Sequence, residues 1–384
     1  MRISSLLLIA LSVLLSSCGV KTAKNSGDGD TVPFRYSRLL TVVRHDSCVD
    51  LTIRNPWDTT AVLQQITVKT PIERAAVCST VHASLFRELG CEESVIGLCD
   101  VQYIVDSLWL VKISEGTIAD IGNSMEPNAE RIIDLQPQLI FNSPYEGQHI
   151  SRKLQQAGIP LLQCADYMEI SPLARAEWIR LYGILLGRER EADSIFSAVE
   201  KQYLSLKQKA ERIKNKPTLL AERPYNGTWT VPCGGSTMGI MYHDAGARYI
   251  FADLKGTGSK ALATEQILDK AINAQFWFVK SFGPLTRQQI NTDFPALEPI
   301  KAKLYVSDSS QNHFFDEVPF HPDLLLENLI SILHPELHIT PRKNYFRQPS
   351  PSSCNLPMRN AAVTADSSET LIRNQHHSLR LSYS

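Results

Sequence analysis

The chain lacks the short motifs that mark many enzymes and metal proteins. Its 384 residues contain no Cys-x-x-Cys pair, no His-Glu-x-x-His, no Gly-x-Ser-x-Gly and no Gly-x-Gly-x-x-Gly after a strand. Gly256 to Lys260 is a loose phosphate-loop mimic that lacks the four-residue spacer. These absences argue against a zinc ribbon, a thioredoxin-like site and the common hydrolase and nucleotide-binding classes, and they leave an exported enzyme only as a remote alternative.

The chain also lacks an excess of charge and a second long apolar run. Lys and Arg number 39 against 40 for Asp and Glu, so the formal net charge of -1 gives no electrostatic reason to expect nucleic acid as a partner. No run after residue 17 is long and apolar enough to span a membrane. The balance of 43% hydrophobic and 21% charged residues is that of a globular protein, and the length predicts about two domains.

The N-terminus carries an export signal. Arg2 precedes an apolar run from Leu6 to Leu15, which is followed by Ser16, Ser17 and Cys18. The run is too short to cross a bilayer, so the segment is expected to be cleaved. Its end, Leu-Ser-Ser-Cys, resembles the bacterial lipoprotein signal, which implies that Cys18 is diacylated and becomes the mature N-terminus. The protein is then expected in the cell envelope, lipid-anchored outside the cytoplasmic membrane. The alternative is an ordinary signal peptide with a chance cysteine.

Seven further cysteines follow Cys18. Six lie in the body of the chain, at positions 48, 78, 91, 99, 164 and 233, and Cys354 lies in the tail. In an exported protein the six could pair, or they could be small buried hydrophobic residues. The second interpretation is favoured because large domains do not need disulfides for stability.

The pattern along the chain predicts two α/β lobes. Short apolar strands alternate with helices on both sides of a long amphipathic segment that runs from Leu173 to about Lys214, a pattern typical of parallel sheets. The polar tail lacks hydrophobic periodicity. The predicted segments are a signal peptide (1–17), a lipid-anchored tether (18–33), a β lead-in (34–70), an N-terminal α/β lobe (71–170), a linker helix (171–216), a C-terminal α/β lobe (217–340) and a disordered tail (341–384).

Several segments resemble one family. Pro71 to Val77, Leu89-Gly90 with Val95 to Leu98, and above all Pro127 to Ile140 resemble consecutive motifs of the iron-siderophore/cobalamin class of ABC-transporter substrate-binding proteins. The last segment departs from the family signature at Gln138, where an aspartate is usual. The resemblance covers roughly residues 70–338 and implies two Rossmann-like lobes joined by a single long α-helix.

The resemblance implies a transport function without catalysis. It predicts a monomeric substrate-binding component of an ABC importer that captures a ferric siderophore, haem or cobalamin between its lobes and delivers it to the membrane permease. No intrinsic cofactor, catalytic residue or nucleic-acid partner is expected. The runner-up is a protein that binds bare Zn²⁺ or Mn²⁺, which requires converging His, Asp or Glu side chains. The histidines at 82, 149, 243 and 313 are scattered along the sequence.

Two glutamates occupy matching positions in the predicted lobes. Glu130 and Glu265 each open a short helix that precedes an apolar strand. A carboxylate in the first helical turn is favoured by the helix dipole, so helix capping alone could explain both residues. The resemblance implies a further role, in which both glutamates form ion pairs with arginines of the permease.

The ligand is expected between the lobes, at loops that leave the carboxyl ends of the strands. Aromatic and polar residues in these loops suit contact with a bulky chelate or corrin face. His82 is more easily explained as a polar neighbour of the first helix than as a metal ligand. The candidate ligand-binding residues are Thr80, His82, Tyr103, Met125, Tyr145, Trp229, Asn312, His313 and Phe314.

Overall fold

The computed structural model describes residues 29–58, 60–148, 151–225 and 227–349. An antiparallel sheet opens this part of the chain, and two α/β lobes follow with consecutive helices between them. The predicted fold class is confirmed. Cys18 and the signal peptide lie outside the described residues.

The N-terminal sheet contains four strands in the order β1-β2-β3-β4. Its strands are β1 (Asp30–Val32), β2 (Leu40–Arg44), β3 (Cys48–Arg54) and β4 (Val62–Lys69). The alternating side chains Val49, Leu51 and Ile53 of β3 are buried, as expected for a sheet with one covered face. Gln64 of β4 reaches the edge strand of the first lobe, where its side-chain amide accepts a hydrogen bond from the backbone N–H of Gln163 at 2.9 Å.

The first lobe is built on a five-stranded parallel sheet. Its elements are β5 (Ala75–Val77), α1 (Thr80–Glu88), β6 (Val95–Leu98), α2 (Ser107–Ser114), β7 (Ala119–Asp120), β8 (Gly122–Asn123), β9 (Glu126–Pro127), α3 (Ala129–Leu135), β10 (Leu139–Asn142), α4 (Arg152–Ala157) and β11 (Leu161–Gln163). The strand order is β11-β10-β5-β6-β7, and β8 and β9 form a separate antiparallel pair just before α3.

Helices connect the two lobes over the predicted range, but they are divided. The segment consists of α5 (Pro172–Ala176), α6 (Trp178–Leu186) and α7 (Glu189–Glu211). The division between α6 and α7 falls at Gly187, whose φ of +69° lies in the left-handed region that favours glycine. The amphipathic pattern continues across the break because both pieces pack on the same core. Among the helices of the described ranges, none has the length and apolar character needed to cross a bilayer.

The second lobe repeats the arrangement with a smaller sheet. Its elements are β12 (Thr218–Ala221), β13 (Thr228–Pro232), α8 (Thr237–Asp244), β14 (Arg248–Tyr249), β15 (Ser259–Ala263), α9 (Thr264–Ala271), β16 (Phe276–Ser281), α10 (Arg287–Asp293), β17 (Lys303–Asp308), α11 (Phe314–Glu317) and α12 (Pro322–Leu333). The parallel strand order is β14-β12-β16-β17, and β13 pairs with β15 in an antiparallel ribbon.

The two parallel sheets share one topology. When the edge strand β7 of the first lobe is left out, the other four strands of each sheet follow the same order. The first strand lies between the second and the third, and the fourth lies beyond the third. Helices α3 and α9 occupy the same place in this scheme, because each crosses from the side of the second strand and leads into the third. The match that the sequence suggests between the segments around Glu130 and Glu265 therefore has a structural counterpart.

The second lobe extends beyond the predicted boundary at residue 340. Tyr345 and Phe346 are buried, and the Phe346 ring lies 5.0 Å from that of Phe278. The backbones of Arg347 and Val306 exchange two hydrogen bonds, at 2.8 and 3.0 Å. The prediction of disorder from residue 341 is therefore wrong for residues 341–349. The segment is held by the buried aromatic pair, by hydrogen bonds from Arg342 to Glu327 and Asp323, and by the bond from the backbone N–H of Phe346 to Asn328. Residues 350–384 lie outside the described part.

Two buried carboxylates attach the N-terminal sheet to the helices between the lobes. Glu177, at the junction of α5 and α6, accepts hydrogen bonds from the backbone N–H groups of residues 35–37 at 2.7–2.9 Å. Glu169 accepts those of residues 38 and 39 at 3.0 and 3.3 Å, and also the indole N–H of Trp178 at 2.9 Å. Burial raises the pKa of Glu169, although these bonds oppose the shift. A non-helical stretch of backbone is thereby satisfied inside the protein.

Replacing Glu177 by glutamine tests this attachment. The substitution keeps the size of the side chain but removes the charge that three backbone donors share, so we expect the free energy of unfolding to fall by about 3 kcal/mol. Denaturant unfolding followed by circular dichroism measures the change. The control is Glu191→Gln on the exposed side of α7, expected within about 0.5 kcal/mol of wild type. Equal stability of the two variants would contradict the proposed importance of these bonds.

Candidate functional site

The loops that follow the parallel strands of the two lobes meet between them. Tyr103 follows β6 of the first lobe, and Phe282 directly follows β16 of the second. Their ring centroids are 6.2 Å apart with an interplanar angle of 86°, an edge-to-face contact. Phe282 is 53% exposed, an unusual state for a phenylalanine. A pair of partly accessible aromatic rings thus bridges the cleft at the ends of the sheets.

A second contact between the lobes lies along α1. The hydroxyl of Ser84 donates to the backbone oxygen of Asp316 at 2.8 Å, and Glu88 Oε1 lies 2.5 Å from His321 Nε2. Burial alone would lower the pKa of His321, but the hydrogen bond and charge of Glu88, together with the carboxylates of Asp323 and Glu317, raise it. The pair is therefore a charged contact when His321 is protonated.

Four of the predicted ligand-binding residues lie in loops of the first lobe. Thr80 is the first residue of α1, Tyr103 follows β6, Met125 lies at the turn between β8 and β9, and Tyr145 follows β10. All four are partly exposed. The loops after β5, β6 and β10 leave the same edge of the sheet, the edge at which parallel α/β sheets bind their ligands.

The structure contradicts the prediction that His82 contacts the ligand. The residue is 1% exposed, and its Nε2 lies 2.9 Å from Asp166 Oδ1. The other oxygen of Asp166 accepts a hydrogen bond from Arg175 Nε at 2.9 Å. Burial would raise the pKa of Asp166, but Arg175 and His82 hold it below its usual range. His82 therefore belongs to an internal polar network that connects α1 to α5.

Trp229 is also not a wall of the cleft. It is fully buried in β13, its indole N–H donates to the backbone oxygen of Ala221 at 3.2 Å, and its ring centroid lies 6.0 Å from that of Trp277. Gly227 and Pro232 on either side of Trp229 favour a loop in the sequence. The alternation of a strand instead turns Trp229 and Val231 inward, while Thr228 and Thr230 remain partly exposed.

The predicted loop around residue 313 is used mainly for packing. Phe314 is 2% exposed and lies 5.8 Å from the Phe346 ring, so its predicted contact with the ligand is contradicted. Asn312 Nδ2 donates to the hydroxyl of Ser307 and to the backbone oxygen of Tyr345, both at 3.2 Å. The side chain of His313 is 40% exposed and is the more accessible residue of this loop.

Sequence reasoning missed several groups at the end of β12. Arg223 is half-buried near the carboxylates of Asp293 and Glu222. Burial lowers the pKa of its guanidinium, while the nearby charges of Asp293 and Glu222 oppose the shift. Glu222 itself has a φ of +63° and forms an ion pair with Lys280. The available signal in the sequence was a Glu-Arg pair, Glu222 and Arg223, directly after the buried strand Thr218–Ala221.

Other candidate cavities lie outside the cleft. A depression of about 350 Å³ beside α8 is lined by Lys216, His243, Arg248 and Tyr249 among others, on the outer part of the second lobe. In the described ranges, no group of three or more His, Cys, Asp or Glu side chains is placed to hold a metal ion. The convergence of aromatic rings between the lobes makes the cleft the better candidate site.

The two predicted docking glutamates are exposed on equivalent helices. Glu130 is the second residue of α3 and Glu265 is the second residue of α9. Lys153 Nζ lies 2.5 Å from Glu130 Oε1, and this hydrogen bond holds the pKa of Glu130 below its usual range. Both carboxylates are therefore accessible to an external cation, although one of them has an internal partner.

Comparisons with known proteins agree with this architecture. The family model described as periplasmic binding protein matches residues 97–302. An uncharacterized lipoprotein of Methanocaldococcus jannaschii, MJ0878, is 30% identical over 292 residues, which cover 73% of this chain and 69% of the relative.

Solved structures share the fold. A periplasmic heme-binding protein from Pseudomonas aeruginosa has a TM-score of 0.55 at 15% identity, and the match covers 73% of this chain and 98% of that protein. A protein of an ABC-type Fe³⁺-hydroxamate transport system from Saccharomonospora viridis also has a TM-score of 0.55, at 18% identity, with the same shares covered. At these identities the likeness establishes the fold of the chain.

The contact between Glu88 and His321 predicts a pH-dependent stability. The pKa of His321 is raised above 6.5 in the folded protein. The contribution of protonated His321 to the free energy of unfolding is therefore complete below pH 6.5, and it is lost as the pH rises through the pKa of the folded state. We expect His321→Gln to cost about 1 kcal/mol at pH 6 and less at pH 9, measured by denaturant unfolding. His338→Asn, at an exposed position, is the control. A loss of stability in His321→Gln that grows with pH would contradict a stabilising ion pair between His321 and Glu88.

Proposed function

The chain belongs to the periplasmic binding protein family, and on that premise we propose that it is the substrate-binding component of an ABC importer. The observation that carries the proposal is the aromatic contact between Tyr103 and Phe282, which bridges two lobes of the same topology at the carboxyl ends of their strands. Exposed aromatic rings at this place suit capture of a ligand between the lobes. The protein binds its ligand and releases it unchanged to a permease.

The proposed ligand is an iron chelate, either a ferric siderophore or haem. Two chemical features favour it. The rings of Tyr103 and Phe282 suit the flat or apolar surface of such a chelate, and the half-buried guanidinium of Arg223 suits an anionic oxygen on it. Two relatives in fold are named for heme and for Fe³⁺-hydroxamate. The proposal narrows the expectation from the sequence, which also included cobalamin.

The proposed location is the outer side of the cytoplasmic membrane, in the cell envelope. The sequence before Cys18 has the form of a lipoprotein signal, and the relative MJ0878 is named a lipoprotein. Lipid chains on Cys18 would hold the protein at the membrane, through a tether that ends near the N-terminal sheet. Retention at the membrane keeps a monomeric receptor at a high effective concentration near its permease.

Docking to the permease is proposed to use Glu130 and Glu265. Their equivalent positions on α3 and α9 give one exposed carboxylate to each lobe, as contact with the two halves of a permease requires. In the free protein Lys153 forms an ion pair with Glu130. An arginine of the permease must therefore displace Lys153 before it can pair with Glu130. Charge pairs of this kind determine orientation and association rate more than affinity.

Titration of the purified protein with haemin and with ferric hydroxamates tests the ligand, and cyanocobalamin, Zn²⁺ and Mn²⁺ serve as comparisons. We expect saturable one-to-one binding of one iron chelate, without turnover. Phe282→Ala should weaken it about tenfold, because a stacking surface is lost. The control is Leu204→Ala, which removes a similarly exposed apolar side chain from α7. Binding of bare metal alone, or equal affinity in both variants, would contradict the proposal.

Charge reversal tests docking separately. The double variant Glu130→Lys with Glu265→Lys should abolish uptake of the iron chelate by cells while the purified protein keeps its ligand affinity, because neither residue is one of the candidate ligand contacts. Glu211→Lys, at an exposed end of α7, is the control and should support normal uptake. Loss of ligand affinity in the double variant would place these residues in the ligand site instead.

A further inference from the structure

Two cysteines end neighbouring strands of the first lobe. Strands β5 and β6 pair in parallel with Val77 beside Leu98, and Cys78 and Cys99 are the next residues of the two chains. The backbone N–H of Cys99 donates to the oxygen of Val77 at 3.0 Å, which holds Cys99 beside the end of β5. Both cysteines are present as free thiols in the structure.

The two side chains point to the same face of the sheet. Both belong to a small apolar cluster that also contains Ile132 of α3 and Leu154 of α4, and they are 1% and 0% exposed. The Cys99 thiol donates to the backbone oxygen of Ile121 at 3.8 Å, and the neighbouring Cys78 thiol together with burial raises the pKa of Cys99. Cys164 belongs to the core on the opposite face, where it accepts a hydrogen bond from the hydroxyl of Tyr182.

The backbone geometry is compatible with a covalent link. Neighbouring strands lie about 4.8 Å apart, and the Cα atoms of a disulfide are separated by about 4.4 to 6.8 Å. Residues at matching positions of paired strands therefore have Cα atoms within the required range. The side chains of Cys78 and Cys99 also share one side of the sheet, so rotation about the Cα–Cβ bonds with a small shift of the strand ends brings the sulfurs within bonding distance.

We propose that Cys78 and Cys99 form a disulfide bond in the exported protein. The S–S bond forms as the two S–H bonds break, and the thiols lose two protons and two electrons. The electrons pass to the disulfide of a thiol oxidoreductase of the cell envelope, which takes up two protons and becomes a dithiol. Because both cysteines are buried after folding, the exchange takes place during folding after export. The inference rests on the export step of the proposed function.

The bond would join the two loops that form one wall of the cleft. Cys78 is followed by Ser79 and Thr80, and Cys99 is followed by Asp100 and the segment that carries Tyr103. A cross-link at the bases of both loops limits their relative motion in the folded protein. It also restricts the conformations of the unfolded chain, which stabilises the fold. It would fix the distance between the positions of Thr80 and Tyr103 before a ligand binds.

Peptide mapping of the full-length protein from the cell envelope tests the proposal. Cells are quenched with N-ethylmaleimide, and the protein is unfolded without reductant and cut with trypsin and a glutamate-specific protease. The second cut separates Cys91 from Cys99, so Cys78 is recovered in residues 75–87 and Cys99 in residues 94–112. We expect these peptides to be linked to each other, to separate on reduction, and to carry no maleimide.

Two variants and a cell fractionation make the result decisive. Cys91→Ser should keep the link, and Cys99→Ser should lose it and leave Cys78 alkylated. Protein recovered from the envelope with maleimide on both Cys78 and Cys99 overturns the proposal, as does a link from either residue to Cys164. Fractionation is scored separately, because protein found only in the cytoplasm would refute the proposed export rather than the pairing of the two cysteines.

Discussion

The arrangement of the molecule depends on two buried carboxylates that bind backbone. Glu169 and Glu177 flank α5, and they satisfy the N–H groups of five consecutive residues, 35–39, before β2 begins. A buried charge is costly unless hydrogen bonds surround it, and here the donors are amides that would themselves be unsatisfied. The N-terminal sheet is thereby fixed to the helices between the lobes. Since Gln64 of the same sheet also binds the edge strand of the first lobe, the sheet restrains both the connection and one lobe.

This restraint affects how the cleft can work. The lobes touch at the aromatic pair and along α1, where Glu88 meets His321. Consecutive helices that are packed against a sheet are stiffer than a loop hinge, so small adjustments at these contacts are favoured over wide opening. A ligand that inserts beside Phe282 would have to separate it from Tyr103, and the contacts along α1 would then act as the pivot. Capture by a stiff receptor loses less conformational entropy than capture by a flexible one.

Residue types alone did not distinguish cleft from core. His82, Trp229 and Phe314 are polar or aromatic residues near strand ends, which made them candidates, yet each is buried in a specific contact. His82 needs Asp166, which is 84 residues away in sequence, and that partner is unknowable from local pattern. Conversely, Phe282 is not among the candidates from the sequence, but it lies one position past the end of β16 and is exposed. Whether a side chain at a strand end is buried depends on which residues of the rest of the fold pack against it.

By itself the sequence determined the fold class, the alternation of strands and helices, and the equivalence of the segments around Glu130 and Glu265, because these follow from local periodicity and short motifs. It also predicts an export signal, in residues outside the described part of the chain. Only the tertiary structure decided that the helix between the lobes is divided at Gly187, that Tyr345 and Phe346 close the second lobe, and which aromatic rings face the cleft. These features arise from contacts between residues far apart in the chain, whose energies are not encoded in any local pattern.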